Sequence, residues 1–253
     1  MRSLKQFHQR CSRLRNELQS SPNSDTGGPN RHLVANCPQH FLISSPELPY
    51  SWDVNQENFE ILRNDDPRCA ELESLGYELV GKSWGAHLNI EDDSNIGVLK
   101  KKVDRAAKRG YSIQMLSADA AQELFELEGL NNADYPYTPA TAHPLPTIEG
   151  TRALWSPNTW IFGARADGKL IAVCATSKRR NGTELDFGSV HPDHRGKGVG
   201  VGVAAFGILT LHSMGENAFS TGGAQINISS KSTVEALGFS VDEIWHSYKF
   251  PEN

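Results

Sequence analysis

The stretch that decides the fold is "VHPDHRGKGVG", residues 190–200, in which glycine occupies three of the last five positions. It follows an apolar strand-like run, and a helical pattern of apolar residues extends from Val199 to about Met214. Where a strand passes into a helix, backbone N–H groups without bulky neighbours can converge on an anion, and the helix dipole adds partial positive charge. Arg195 and Lys197 add further charge, so the stretch predicts a pyrophosphate-binding loop.

Two other nucleotide-binding loops are excluded by the glycine spacing. A P-loop needs Ser or Thr directly after its lysine, whereas Lys197 is followed by Gly198. A dinucleotide fingerprint needs a third glycine at a position where this chain has valine. The pattern that the stretch does fit is Arg-x-x-Gly-x-Gly, formed by Arg195, Gly198 and Gly200.

Together with its preceding strand, this pattern resembles the acyl-coenzyme A loop of the GNAT superfamily of N-acetyltransferases. A second motif agrees, because "AQINISSKSTVEALGF" places Asn227 before a helix that ends in Gly238 and Phe239, at the spacing of the family. The resemblance covers about residues 111–250. It implies a GNAT-type α/β fold with a mixed, mostly antiparallel sheet flanked by helices. It also implies acetyl-CoA as co-substrate and no metal.

The resemblance further implies which residues bind the cofactor. The end of the central strand would pair with the pantetheine arm, and the glycine-rich loop would hold the pyrophosphate. Asn227 and Ser230, at the start of the helix that ends in Gly238, would contact the cofactor from the other side of the splayed strands. These positions are Gly188, Ser189, Val190, Arg195, Gly196, Lys197, Gly198, Val199, Gly200, Asn227 and Ser230.

Two carboxylates precede the loop and are the candidate catalytic residues. Glu184 and Asp186 alternate along "TELDFGSV", so we expect both on one face of the strand that meets the cofactor. Amide formation needs a base for the amine, and Glu184 lies about where several GNAT enzymes place a catalytic glutamate. Neighbouring carboxylates raise one another's pKa, which suits a base that works near neutrality. The alternative is a solvated strand face paired with Arg179 or Arg180.

The proton donor for the leaving thiolate departs from the family pattern. Many members have a tyrosine where this chain has Val234, and valine cannot donate a proton. Either water or another group serves, or the chain binds acyl-CoA without efficient turnover. The other candidate donors are Tyr248, His246 and Ser232. His191 and His194 also titrate near neutrality, and we expect them at the surface.

Two short segments of the chain are similar and indicate an internal repeat. "ESLGY" at 73–77 and "EALGF" at 235–239 each end a helix and precede a strand-like run with a tryptophan, which indicates a duplication. We therefore predict a degenerate GNAT-like unit at 1–92, a connecting helix at 93–110 and the catalytic domain at 111–253. This arrangement resembles tandem members of the superfamily such as mycothiol synthase. The N-terminal unit is expected to pack on the catalytic domain and to shape the acceptor site.

Periodicity predicts several further elements. These are an amphipathic helix over 3–19, a loop over 20–30, a strand in "QHFLISS", a helix over 58–75, one or two strands from Tyr77, a helix capped by Asp93 or Ser94, a helix opened by Ser117, and hairpin turns at Asp167-Gly168 and Asn181-Gly182. The basic side of the first helix indicates either a membrane-binding or partner-binding helix, or a docked helix with a solvated face.

The composition is typical of an ordinary soluble globular protein. The 253 residues carry a net charge of −5, and the mean hydropathy is −0.47. These values argue against nucleic acid as a partner, and no apolar run is long enough to cross a membrane. The four cysteines form no Cys-x-x-Cys pair, which argues against zinc and indicates reduced thiols in a cytoplasm, although a disulfide among the first three remains an alternative.

The expected activity is acetyl transfer from acetyl-CoA to a primary amine of a small molecule in the cytoplasm, with the oligomeric state open. A Pro-rich loop would recognise the acceptor, with Asp134, Tyr135 and Tyr137 as an amine-binding wall. The two rivals are a non-catalytic acyl-CoA sensor and a protein lysine or N-terminal acetyltransferase.

Overall fold

The computed structural model describes residues 59–136, 138–141 and 146–251. The described chain forms strands β1 Phe59–Arg63, β2 Glu78–Asn89, β3 Ser112–Met115, β4 Thr159–Ala166, β5 Lys169–Arg179, β6 Gly182–Val190, β7 Ala218–Ala224 and β8 Ser240–Lys249. Its α-helices are α1 Arg68–Ser74, α2 Asp93–Ala107, α3 Ala121–Asn131, α4 Ile148–Arg152, α5 Val199–Ser213 and α6 Ile228–Ala236. The helix, loop and strand predicted within residues 3–45, together with Cys11, Cys37 and Tyr137, lie outside the described residues.

All eight strands belong to one sheet, in the order β1-β8-β2-β7-β6-β5-β4-β3. Every neighbouring pair is antiparallel except β6 and β7, which are parallel. The predicted fold class, a mixed and mostly antiparallel sheet flanked by helices, is therefore confirmed. Strands β6 and β7 pair only at Thr183 with Phe219 and at Glu184 with Ser220. Beyond this point they diverge and leave a cleft.

Helices cover the two faces of the sheet with separate apolar clusters. On one face, called here the α5 face, helices α2, α5 and α6 pack on side chains that include Trp84, Phe162, Leu185 and Phe219. On the opposite face, the α3 face, helix α3 packs on Ile161, Val173, Ala175 and Phe187. Because side chains alternate along each strand, neighbouring residues of β6 contribute to different faces. Helix α5 is apolar on nearly all sides, as expected of a helix buried between other elements.

The two predicted hairpins have different outcomes. Asp167 and Gly168 form the β4–β5 turn with positive φ angles of 49° and 78°, as predicted. In the β5–β6 hairpin, Arg179 pairs with Gly182, so the two loop residues are 180 and 181 rather than 181 and 182. Gly182 already belongs to the strand, and glycine is needed there because a Cβ would lie 2.3 Å from the carbonyl oxygen of Ala218.

The helix predicted over residues 58–75 is wrong in its first half. Phe59–Arg63 is strand β1, which pairs with β8 at the edge of the sheet, and the helix begins only after Pro67. Pairing with a distant strand overrides the local pattern, and proline suits a helix start because its missing N–H needs no partner there. The run from Tyr77 forms one strand, β2. The cap of α2 is Asp92, whose carboxylate accepts a hydrogen bond from the backbone N of Ser94 (2.8 Å). This cap therefore lies one or two residues before the predicted ones.

Ser117, predicted to open α3, precedes a short 3-10 turn instead. Its side chain makes no capping hydrogen bond to the backbone of the described turn, and its hydroxyl donates to the carboxylate of Asp119 (3.1 Å).

The two similar segments, 73–77 and 235–239, belong to two strand–helix–strand units that exchange strands. The first unit is β1-α1-β2 and the second is β7-α6-β8. The last strand of each unit pairs with the first strand of the other unit, and β2 and β8 pair with each other. Residues 59–89 therefore lie in the same sheet as residues 112–249, so the boundary predicted at residue 92 does not separate two sheets.

Candidate active site

A cavity of about 580 Å³ lies where β6 and β7 diverge, between the starts of α5 and α6. Ten of the eleven predicted cofactor-binding residues line it: Gly188, Ser189, Val190, Arg195, Gly196, Gly198, Val199, Gly200, Asn227 and Ser230. Lys197 is the exception. Its side chain is not part of the lining, and its carbonyl oxygen accepts a hydrogen bond from Arg109. The structure thus gathers two motifs that are about thirty residues apart in the sequence into one wall.

The glycine-rich loop and the start of α5 line this cavity. Gly196 and Gly198 have φ angles of 70° and 75°, which lie in the left-handed region that favours glycine. Gly198 is the N-cap residue of α5, and among the described residues no side chain caps this helix end. A Cβ on Gly200 would lie 2.9 Å from Cγ2 of Val190, so glycine lets the helix start close to the strand end. The uncapped first turn therefore offers amide donors and the positive end of the helix dipole.

The opposite wall is formed by α6 and is rich in hydroxyl groups. Asn227 caps this helix, because its Oδ1 accepts a hydrogen bond from the backbone N of Ser230 (3.1 Å). Ser229, Ser232 and Thr233 also line the cavity, and so does Val234, the position at which the family pattern has tyrosine.

The candidate proton donors are separated by the structure. Ser232 lines the cavity, whereas Tyr248 and His246 lie on β8 and do not. The phenol of Tyr248 is fully buried and donates a hydrogen bond to Glu73 Oε1 (2.8 Å). Of the three side chains, only Ser232 is therefore placed to contact a ligand in the cavity.

Arg195 extends toward the end of α3 rather than toward the loop amides. Its Nε donates to the carbonyl oxygen of Val190 (3.0 Å), and its Nη2 contacts Asn131 Oδ1 (2.6 Å) and Asp134 Oδ2 (2.7 Å). The contacts of this guanidinium are thus with the protein. They join the glycine-rich loop to the helix on the α3 face.

Asn131 is a site residue that the sequence reasoning missed. It is 3% exposed, and its Nδ2 donates to Ser189 Oγ (2.6 Å) and to the carbonyl oxygen of Val190 (3.1 Å). The side chain therefore fixes the strand end and the arginine together. The available signal was its spacing from Leu124 and Leu127, which puts a polar residue on the apolar side of a helix.

Glu184 and Asp186 lie at the narrow end of the cleft but do not line the cavity. Glu184 stands at the last paired position between β6 and β7. A β-bulge at Asp186 interrupts the alternation, yet both carboxylates contact one guanidinium: Arg179 Nε bonds Glu184 Oε2 (2.9 Å) and Nη2 bonds Asp186 Oδ1 (2.6 Å). The Glu184 side chain is 1% exposed. The alternative prediction was a solvated strand face paired with Arg179 or Arg180. The ion pairs with Arg179 agree with it, whereas the burial of Glu184 contradicts the solvated face.

Burial raises the pKa values of two side chains, Asp186 and Cys174. Burial raises the pKa of Asp186 above its usual range, while Arg179 and a hydrogen bond from Ser177 act in the opposite direction. The direction agrees with the prediction, but the cause is desolvation rather than the neighbouring carboxylate. Burial also raises the pKa of the Cys174 thiol in the cavity wall to about 12, so this cysteine is a poor nucleophile at neutral pH.

The predicted amine-binding wall is only partly formed by described residues. Asp134 and Tyr135 line the cavity, but the charge of Asp134 is shared with Arg195. The Tyr135 hydroxyl donates to the buried carboxylate of Glu128 (3.2 Å), and burial together with that carboxylate raises the pKa of the phenol. Of the two histidines, only His194 lines the cavity, and its Nδ1 lies 3.2 Å from the hydroxyl of Tyr111.

Among the described residues, no group of three or more His, Cys, Asp or Glu side chains is arranged to hold a metal ion. No helix in the same ranges combines the length and the apolar character needed to cross a bilayer.

Comparisons with known proteins concern the fold and the family. No curated protein sequence matches the chain. Among solved structures, it is similar to a GCN5-related N-acetyltransferase from Sphaerobacter thermophilus, with a TM-score of 0.57, 11% identity and coverage of 76% of this chain and 58% of that one. It is also similar to a tandem GNAT protein from the clavulanic acid biosynthesis pathway, with a TM-score of 0.49, 17% identity and coverage of 75% and 60%. The chain therefore spans about three fifths of the length of these two proteins.

A third similar structure is the ribosomal-protein-S18-alanine N-acetyltransferase from Escherichia coli, with a TM-score of 0.44, 16% identity and coverage of 56% of this chain and 93% of that one. The match to a protein-family model includes the glycine-rich loop and all residues that line the cavity. Residues 103–239, more than half of the chain, match the model of the Acetyltransferase (GNAT) family. The chain belongs to the GNAT family of acetyltransferases.

Proposed function

We propose that the protein transfers the acetyl group of acetyl-CoA to a primary amine of a small molecule. The observation that carries the proposal is the cavity whose wall contains the uncapped start of α5 beside the end of β6. Its residues fit coenzyme A, because a helix start without a side-chain cap suits a phosphate group and glycines with positive φ angles precede it. Bound acetyl-CoA would supply a thioester as the acyl donor.

The residues of the chain bind and orient this ligand. The edge of β6 beyond Glu184 faces the cleft, because β7 no longer pairs with it. Backbone groups near Gly188 can therefore pair with the pantetheine arm as an added strand would. The carbonyl oxygen of Val190 already accepts hydrogen bonds from Arg195 and Asn131, so pairing ends before this residue.

Glu184 is the proposed base, and Arg179 is its positioning residue. The carboxylate stands at the narrow end of the cleft and takes the proton of the acceptor ammonium, while Arg179 fixes its orientation from the side of Asp186. Glu184→Gln preserves the shape and removes the base. It is expected to lower kcat about a hundredfold and to leave the KM for acetyl-CoA unchanged. Equal kcat values for wild type and variant would exclude this role.

The acceptor side includes residues of the N-terminal part. Strand β2 packs closely under the segment 138–141. A Cβ on Gly81 would lie only 3.3 Å from both Thr138 Cβ and Pro139 Cδ. Thr138 and Thr141 are buried and hydrogen-bonded to each other (2.6 Å). This segment lies against the sheet, and a closed wall there favours a small acceptor over a protein. We propose that the unit at 1–92 shapes the acceptor site of the domain at 111–253 in this way.

A second candidate, an acyl-CoA sensor without turnover, is favoured by Val234 in the cavity wall. One experiment separates the two. A panel of amines is incubated with the protein and acetyl-CoA, and the release of free thiol is followed. Release that depends on an added amine supports the transferase. Tight binding of acetyl-CoA without release for any amine would support the sensor.

A further inference from the structure

The cavity has an apolar recess on the α5 face of the sheet. Leu185 and Thr221 line the cavity directly after the last paired positions of β6 and β7. Val234 and Leu237, near the end of α6, line it as well. Leu185, Val234 and Leu237 belong to the buried apolar cluster on the α5 face, and Thr221 pairs with Ala86 of the same cluster. These four cavity-lining residues, 185, 221, 234 and 237, form what we call the α5-face recess.

The direction of α6 places this recess toward the narrow end of the cleft. Strands β7 and β8 are both antiparallel to β2, so they run in the same direction. The helix that connects them must therefore run back along β7, toward the start of that strand. The start of β7 is the part that still pairs with β6. Val234 and Leu237 thus approach the narrow end, whereas Asn227 and Ser230, at the start of α6, lie toward the wide end.

The recess offers apolar contact to a ligand. The side chains of Leu185, Val234 and Leu237 are hydrocarbon. The hydroxyl of Thr221 donates a hydrogen bond to the carbonyl oxygen of Leu185 (3.0 Å), so it needs no polar partner from a ligand.

The α3 face has the opposite character at the narrow end of the cleft. There the carboxylates of Glu184 and Asp186 both contact the guanidinium of Arg179. A charged amine loses less hydration energy beside these groups than in an apolar recess. The α3 face therefore suits the acceptor amine, and the α5-face recess suits an apolar group on the donor.

We propose that the α5-face recess binds the acyl chain of the donor and that it accepts chains longer than acetyl. A pantetheine arm along the edge of β6 directs the thioester toward the narrow end, where the recess lies. Methylene groups beyond the carbonyl would leave water for an apolar wall, which is favourable in proportion to the area buried. The donor class is then short-chain acyl-CoA, including propionyl-CoA and butyryl-CoA. This inference rests on the proposed coenzyme A site and names its range of donors.

Equilibrium binding without any amine tests the inference. The full-length protein is titrated calorimetrically with acetyl-CoA, propionyl-CoA and butyryl-CoA. Each methylene that enters the recess should tighten binding about threefold, so that butyryl-CoA binds about tenfold more tightly than acetyl-CoA. An acyl chain that stayed in solvent would give equal affinities for the three ligands.

Two substitutions at Val234 change the size of the recess in opposite directions. Val234→Tyr fills it and should remove the preference for butyryl-CoA. Val234→Ala enlarges it and should extend the preference to hexanoyl-CoA. Ile228→Tyr is the matched control, because it adds the same phenol to the same helix at a side chain that is 74% exposed, and it should keep the wild-type order. Thermal unfolding of each variant shows whether it is folded.

The outcomes separate this inference from the proposed function. It is overturned if butyryl-CoA binds no more tightly than acetyl-CoA, or if Val234→Tyr keeps the wild-type preference. If Val234→Tyr binds no acyl-CoA, an unchanged chain-length preference in Val234→Ala overturns it. Thiol release with a panel of amines is followed separately. Release from acetyl-CoA without a chain-length preference would keep the transferase and reject the recess, whereas a preference without release for any amine would do the reverse.

Discussion

The contacts of Asn131 give the sharpest prediction for the cofactor wall. Asn131→Ala removes two hydrogen bonds from Nδ2, to Ser189 Oγ (2.6 Å) and the Val190 carbonyl (3.1 Å), and one from Arg195 to Oδ1 (2.6 Å). Two neutral bonds at about 1 kcal/mol each and one bond to a charged group at about 2 kcal/mol give a gross loss of about 4 kcal/mol.

Part of this loss is recovered, because the partners keep other contacts. The Val190 carbonyl still accepts from Arg195 Nε, and the guanidinium still contacts Asp134. The net destabilisation expected is therefore about 2 kcal/mol, which corresponds to a decrease in Tm of roughly 4–8 °C for a protein of this size. Because the strand end and the loop lose their common support, affinity for coenzyme A should fall about fivefold to tenfold.

Thermal unfolding by circular dichroism and calorimetric titration with coenzyme A measure the two effects. The neighbouring substitution Asn132→Ala is the matched control, because the amide oxygen of Asn132 has no hydrogen-bond partner in the described chain. Because it removes a buried oxygen without a partner, it should not lower the Tm, and the affinity for coenzyme A should stay unchanged. The reasoning is refuted if Asn131→Ala and Asn132→Ala have the same Tm and the same affinity for coenzyme A.

Two further predictions concern the acceptor side and the carboxylates. Gly81→Val puts side-chain atoms against Thr138 and Pro139, so it should raise the KM of the acceptor about tenfold and leave the KM of acetyl-CoA unchanged, whereas equal effects on both would contradict an acceptor-side role. For Asp186, a pKa raised by burial means that the folded state holds its proton more tightly than the unfolded state, so its contribution to stability decreases as the pH rises from the ordinary value of 3.8 through the raised pKa. Asp186→Asn should remove this decrease, and parallel pH profiles of Tm for wild type and variant would show the assignment to be wrong.

The gathering of the two motifs at one cavity could be predicted from sequence because each motif is a local signal. Glycine spacing at a strand–helix junction and an asparagine at a helix start each determine backbone geometry within a few residues. Ten of eleven predicted positions therefore meet at one cavity. Lys197 lies between two left-handed glycines, and its carbonyl oxygen accepts a hydrogen bond from Arg109, so its binding role stays a prediction.

The features that sequence reasoning missed depend on contacts between distant residues. Residues 59–63 have apolar side chains compatible with a helix, and only pairing with β8, almost two hundred residues away, makes them a strand. Asn131 bonds a strand end nearly sixty residues downstream. The exchange of strands between the two units likewise follows from pairing alone, which no local pattern specifies.

The central claim is that backbone amides at the start of α5 hold the diphosphate of coenzyme A. A crystal structure of the protein with coenzyme A tests it most directly. The account predicts phosphate oxygens within hydrogen-bond distance of the backbone nitrogens at residues 198–201, with the pantetheine arm along the edge of β6. A diphosphate bound away from these nitrogens would contradict it.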